Sequence, residues 1–258
     1  MFDFIVEPSS PPVDMVANPK TEMIFTIGVS IAFLAMLVYS LYYWRKNNSP
    51  IGVLCIVGGL IASMLEPYCD MIGSLWFPNI NTWLPPIFNN WFGVYIPVWV
   101  AIGYAMFIGG APFIAYVILS KIKIITKKSI LIIILSIMAF DIILETIGLN
   151  MGVYAYYGFQ PFQIAKMPWW WSLTGGLMGA GGGAMIYLLK ERISGWRSLL
   201  VIPLVPGNFM MFIGWIAWPI MIALNLNLGY GVSYTAGVFS ILLAWMAYKG
   251  ICIVLKAE

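Results

Sequence analysis

An all-α membrane protein with seven transmembrane helices is the fold class this sequence predicts. Three observations predict it. Of the 258 residues, 62% are hydrophobic and only 9% are charged, whereas soluble domains carry about 25% charged residues. Seven apolar stretches of at least the ~20 residues needed to cross a bilayer follow one another. The Lys and Arg residues gather in alternate connections between those stretches.

Taken in order, residues 1–20 form a polar, Pro-rich tail with Asp3, Glu7, Asp14 and four prolines, unlike a signal peptide. A single transmembrane domain is expected over 21–258. Its first span is Met23 to Trp44, closed by Arg45-Lys46. The second, Ile51 to Leu75, contains Glu66-Pro67, and the proline should kink or unwind it there. Residues 76–94, rich in Trp, Pro and Asn, suit a connection at the interface. The third span is Tyr95 to Ser120, and the basic loop Lys121 to Lys128 follows. The fourth span, Ser129 to Leu149, leads into a Tyr-rich loop at 150–167. The fifth is Pro168 to Leu189, and the sixth is Leu199 to Leu224, with three internal prolines. The seventh is Val232 to Leu255.

Seven spans put the chain ends on opposite sides. Eleven of the 13 Lys and Arg fall on one side, and only Lys20 and Lys166 on the other. The positive-inside rule then predicts an outer N-terminus and a cytoplasmic C-terminus. The expected location is integral and multi-pass. Nothing in the residues favours a bacterial cytoplasmic membrane over an endomembrane.

The spans repeat. Glu66-x-x-x-Asp70-Met-Ile-Gly73 closes span 2, and Asp141-x-x-x-Glu145-Thr-Ile-Gly148 closes span 4. Each leads through a loop to Pro97-Val-Trp99 or Pro168-Trp-Trp170, then to small residues and a tyrosine. Spans 6 and 7 keep a trace of the pattern. Tandem helical hairpins (spans 2–3, 4–5 and in outline 6–7) are therefore expected, with span 1 as an addition. The run Gly175 to Met185 reads as a surface for close helix packing.

The acids carry the functional signal. An acid near the centre of a membrane helix costs about 2.5–3.5 kcal/mol. Asp3, Glu7, Asp14 and Glu22 belong to the outer tail or its junction, and Glu191 and Glu258 lie among basic residues. Glu66, Asp70, Asp141 and Glu145 remain, and the i, i+4 spacing of each pair puts both side chains on one helix face. No Lys or Arg is expected at their depth. The carboxyls must be protonated, hydrogen-bonded or exposed to a water-filled cavity. A neutral carboxylic acid is a proton donor.

Several chemistries are disfavoured. The chain has no His, which removes the commonest metal ligand and the usual neutral-pH base. Cys55, Cys69 and Cys252 have no CxxC spacing, so no disulfide framework or metal site is expected. No basic run is interleaved with aromatics, which argues against nucleic acid as a partner. The outer site has neither an aspartate-rich cluster nor basic residues for a diphosphate, and no cofactor is implied. What remains is acid chemistry on an apolar molecule. A carboxylic acid protonates an alkene or epoxide, and aromatic faces stabilise the cation by about 0.5–2 kcal/mol each. Tyr154, Tyr156, Tyr157, Trp99 and Trp170 are the expected lining, in a pocket shared by spans 2 and 4.

The order Glu145, Gly148, Gly152, Tyr154, Tyr156, Pro168 is similar to a pattern in polytopic membrane proteins of carotenoid biosynthesis. The seven-span size with embedded Glu and Asp also resembles the integral-membrane terpene cyclases of meroterpenoid pathways. The resemblance covers mainly 141–171, with looser support from 66–99. It implies metal-independent, proton-initiated cyclisation or hydration of an isoprenoid, of isomerase or lyase type. It implies a general-acid role for Glu66 and Glu145, and for Asp141. Partners would be an apolar isoprenoid-like small molecule and membrane lipid. The alternative from the residues is a small proton-coupled transporter or channel, and a third reading is a non-enzymatic membrane subunit. The cytoplasmic halves of the spans are almost wholly apolar, Asn208 excepted, which favours a pocket closed on that side.

Overall fold

The computed structural model describes residues 10–78 and 95–258. Most of the expected connection at 76–94, with Trp83 and Trp91, lies outside the described residues, as does the start of the tail. Among the described residues, seven helical stretches are long and apolar enough to cross a membrane.

Helix α1 (Pro19–Asn47) starts earlier than the sequence suggests. The Asn18 side chain accepts from the Lys20 amide at 2.9 Å, and Pro19 supplies a first residue that needs no N–H partner. One consequence is that Glu22, expected at the tail junction, is buried at 2% exposure within the first turn. Span 2 is two helices, α2 (Ile51–Ala62) and α3 (Glu66–Gly73), joined by one 3-10 turn at Ser63–Leu65. Pro67 has no N–H to continue the ladder, and the break falls where the sequence predicts it.

Span 3 is also broken, into α4 (Val98–Met106) and α5 (Gly110–Lys121), whereas the sequence suggests one continuous helix. The cause is Pro112, whose ring obstructs the Ile108 carbonyl four residues earlier. Span 4 is a single helix, α6 (Lys127–Met151). A reciprocal Thr126–Ser129 capping box starts it, and Gly152 at φ 70° ends it. Span 5 is α7 (Trp169–Leu189). Span 6 opens with a 3-10 segment at Gly195–Leu200 and continues as α8 (Val201–Ile216). Residues expected to continue it form a separate helix, α9 (Trp218–Asn225), begun by Pro219. Span 7 is α10 (Gly229–Val254).

The connections carry two short ribbons that the helical expectation omits. β1 (Leu75–Trp76) pairs antiparallel with β2 (Ala155–Tyr156), and β3 (Gln163–Ile164) with β4 (Met167–Pro168). At the opposite, basic end, the Lys127 amide donates to the Glu258 carbonyl at 2.9 Å and the Glu258 amide to the Ile125 carbonyl at 3.1 Å. The C-terminal residues thus close onto the basic loop.

Helix α7 is the axis of the bundle, and its glycines explain how. A Cβ on Gly176 would lie 2.7 Å from the Ile134 carbonyl of α6. One on Gly181 would lie 2.2 Å from the Phe212 ring of α8, and one on Gly183 would lie 2.4 Å from Cβ of Ala115 on α5. The backbones of α5 and α6 therefore approach one helix closely, and the Phe212 ring of α8 packs onto it, as small residues allow in lipid. The outer faces of α1, α6 and α10 expose Ile31, Leu34, Val38, Ile132, Leu135, Ile143, Leu242 and Trp245. An exposed apolar surface of this extent suits lipid as the surrounding solvent.

Gly183→Ala is expected to destabilise the fold by about 1–3 kcal/mol, because backbone rather than a mobile side-chain tip must move. Gly28→Ala, with nothing within 4 Å of the added carbon, serves as the control. Thermal unfolding in detergent should separate the two, and equal melting temperatures would contradict the packing account.

Candidate functional site

All four acids singled out in the sequence line one cavity of about 140 Å³ at the end of the bundle that carries β1 and β2. That is roughly ten times the ~10–15 Å³ needed for one water. Glu66 and Asp70 come from α3, and Asp141 and Glu145 from α6. The i, i+4 spacing does what it should, turning both members of each pair toward the same space. Glu66, Asp70 and Asp141 are 9%, 2% and 7% exposed. Asp70 is therefore buried within the protein. None of the residues lining the cavity is Lys or Arg.

The wall is wider than the sequence suggests. Beyond spans 2 and 4 it takes Phe25 and Val29 from α1, Trp99 to Ile108 in part from span 3, Thr174 and Met178 from α7, and Phe209 and Ile213 from α8. Aromatic rings form an arc along one side. Trp99 meets Phe25 edge-on at 4.8 Å and Tyr154 at 5.7 Å. Tyr154 meets Tyr156 at 6.3 Å, and Tyr156 meets Trp171 at 6.5 Å.

Of the expected lining, Trp99, Tyr154 and Tyr156 are in place, while Tyr157 and Trp170 are not. Side chains alternate along a strand, so Tyr154 and Tyr156 share a face that Tyr157 cannot. The Tyr157 amide instead donates to the Ser74 carbonyl at 2.9 Å. Successive residues of a helix point about 100° apart, so it is Trp171 that lines the cavity, with Trp170 stacked behind it at 4.4 Å.

Two glycines of the repeated motif make this arrangement possible. A Cβ on Gly148 would lie 2.5 Å from the Tyr154 ring, and one on Gly73 would lie 2.4 Å from the Trp171 ring. Each motif glycine is the seat of one cavity aromatic.

Hydrogen bonding separates the acids. The Tyr104 hydroxyl donates to Oε2 of Glu66. The Tyr156 hydroxyl donates to Oε2 of Glu145 at 3.0 Å, and the Tyr154 hydroxyl to the Glu145 carbonyl at 3.2 Å. Burial, and then the neighbouring Glu145, hold the Tyr154 and Tyr156 phenols well above their ordinary range. Both therefore remain donors at neutral pH. Oδ2 of Asp70 is buried and has no hydrogen-bond partner. Oδ2 of Asp141 lies 3.4 Å from the position of a Cβ on Gly175, so the glycine leaves this carboxyl room.

Sequence reasoning missed Tyr104 and Gln160. Tyr104 had a signal, since Val100, Gly103, Tyr104 and Phe107 occupy i, i+3, i+4 and i+7 on one face of span 3, and all line the cavity. Gln160 had none. Its amide donates to the Gly73 carbonyl at 2.9 Å and the Tyr157 carbonyl at 3.0 Å, and it accepts from Trp170 Nε1 at 3.1 Å. That one side chain ties the 153–168 loop to the end of α3 and the start of α7.

Comparison with protein-family models, with curated proteins and with solved structures found no match. The geometry alone bears on function. Among the described residues no cluster of His, Cys, Asp and Glu could hold a metal ion.

Gln160→Leu should cost about 1–3 kcal/mol, because it strands a buried carbonyl and an indole N–H. The expected readout is a lower melting temperature together with faster proteolysis of the 153–168 loop. Wild-type cleavage kinetics would show that the loop is held by other contacts.

Proposed function

We propose that this protein is an integral-membrane enzyme that processes an isoprenoid or terpenoid by proton-initiated cyclisation or hydration, with the embedded carboxyls as acid and base. The observation that carries the reading is one cavity whose described lining combines four carboxyls and an arc of aromatic rings with no Lys or Arg. A carboxylic acid in such a space can protonate an alkene, and ring faces can stabilise the cation, each by about 0.5–2 kcal/mol. The cavity volume suits the reacting end of a longer apolar chain that extends into lipid.

The chain would lie with its N-terminus outside and its C-terminus in the cytoplasm. The distribution of 11 against two Lys and Arg supports this orientation. Tandem hairpins fit the parallel placement of the two acid motifs, and they fit the contact of Gly183 in span 5 with Ala115 in span 3. A proton-coupled transporter would need a polar route on both sides of the acids. The basic-end floor of the cavity is Phe107, Ile108, Met178, Phe209 and Ile213, which favours the closed pocket of an enzyme.

Glu66→Gln and Glu145→Gln are expected to abolish product formation while the protein still folds and inserts. Membranes containing each variant would be incubated with farnesol, geranylgeraniol and squalene epoxide, and products read by mass spectrometry. A loss of about 10²-fold or more is expected for an acid–base residue. Undiminished turnover in both variants would remove the acid-catalysis reading. Proton uptake into vesicles without any product would replace it with transport.

A further inference from the structure

The four carboxyls are not equivalent, and their hydrogen bonds rank them. A buried carboxylate needs donors, and without them it is more stable as the neutral acid. Glu66 has the Tyr104 hydroxyl, and Glu145 has the Tyr156 hydroxyl. Asp70 is 2% exposed, and its Oδ2 receives nothing. The titratable groups around Asp70 add no positive charge. They are Glu66 and Cys69 on its own helix, Tyr104 on α4, Asp141 and Glu145 on α6, and Tyr154, Tyr156 and Tyr157 on the loop. Glu66 stands one helical turn before Asp70, and Glu145 lines the same cavity. An ionised Asp70 would face two like charges with one oxygen unsolvated.

We infer that Asp70 is the carboxyl that holds the proton, and, resting on the isoprenoid reading above, that it is the general acid of the reaction. Whatever negative charge the cluster carries rests on the other carboxyls, of which Glu66 and Glu145 are each solvated by a phenol. This differs from the expectation from sequence, which puts the general-acid role on Glu66, Glu145 and Asp141.

The step balances within the cavity. The Asp70 O–H bond breaks and its proton forms a C–H bond at the less substituted carbon of an alkene. The π pair is consumed, the other carbon becomes a tertiary cation, and Asp70 is left as a carboxylate. The cation ends in one of two ways. Loss of a proton from an adjacent carbon to Glu66 or Glu145 restores an alkene, which gives isomerisation. Where a second double bond of the same chain first gives its π pair to the cation, a ring C–C bond forms and the charge moves to the far carbon of that double bond. The same proton loss there gives a cyclised alkene. Capture of water, whose extra proton goes to the same carboxylate, gives a tertiary alcohol. The proton then returns to Asp70 from the neighbouring glutamate, and no oxidant or metal enters the balance.

The test is the infrared carbonyl stretch of a protonated carboxylic acid, which an ionised carboxylate lacks. It is measured at neutral pH on the purified full chain in dodecyl maltoside, a detergent without ester carbonyls. Asp70→Asn should remove one such carboxyl signal relative to wild type, while Glu66→Gln and Glu145→Gln keep it. A signal unchanged in D70N overturns the assignment, whichever of E66Q, D141N or E145Q then removes it. If D70N does not fold, Asp70→Glu replaces it. A shifted band in D70E supports the assignment and an unshifted band overturns it. Asp70→Asn should also lower turnover by about 10²-fold or more, and unchanged turnover overturns the general-acid role. The band requires no substrate. Failure of wild-type protein to convert any isoprenoid tried therefore overturns the enzymatic reading and not the proton assignment.

Discussion

Four carboxyls sit in one apolar enclosure without a cation, and the surrounding structure is arranged around that fact. Each charge left there would need solvation from the protein, because an unpaired buried charge costs several kcal/mol. Two carboxyls obtain it from phenols. One phenol, Tyr104, stands on α4, and the other, Tyr156, on a loop strand. The strand is held in place by pairing with β1 and by the Gln160 clamp. The loop over the site is thus an ordered part of the wall. Its residues supply both a ring for the aromatic arc and a donor for Glu145.

Backbone breaks lie where the site needs them. The 3-10 turn at Ser63–Leu65 comes immediately before Glu66, and the interruption between α4 and α5 puts Phe107 and Ile108 at the cavity floor. Prolines 67 and 112 account for both. Broken helices are tolerated in membranes only where the freed backbone groups are covered by protein. Here α7 provides the cover. Its glycine run lets the backbones of α5 and α6 and the Phe212 ring of α8 close in, so the breaks remain inside the bundle.

Much of this was legible in the sequence, for identifiable reasons. Span number follows from apolar length, and the break at Glu66-Pro67 follows from the missing N–H. The convergence of Glu66, Asp70, Asp141 and Glu145 follows from helical spacing and the repeated motif. The Pro112 break was equally available but was not read. Other features depend on tertiary placement. Trp171 lines the cavity where Trp170 was expected, because the phase of α7 is set by its glycine faces and not by the Trp triplet itself. Tyr157 turns away because a two-residue strand forms in a loop whose composition does not announce one. Glu22 looks like part of a polar tail, yet capping by Asn18 extends α1 and takes it into the protein. Gln160 is an ordinary polar residue in a polar loop until the carbonyl of Gly73, 87 positions away, comes within reach.

The repeated motif also shows how similar sequences come to serve different ends. The motif places an acid four residues before a second acid and a glycine three residues after that. In α6 it lies on a continuous 25-residue helix, and in α3 on an eight-residue helix begun by a 3-10 turn. The glycines keep the same task in both, each seating an aromatic ring. The acids do not. The second acid of α6, Glu145, is met by a phenol from the loop that follows its helix, and the first acid of α3, Glu66, by a phenol from the neighbouring span. Asp70 matches Glu145 in the motif, but its side chain is one methylene shorter and its Oδ2 meets no donor. Proton transfer within a cluster gains a fixed direction where the carboxyls differ in their hydrogen bonds, since donor and acceptor are then assigned before the reaction. Placing one motif on a broken helix and its copy on an intact one is a direct way to make two similar acid pairs unlike.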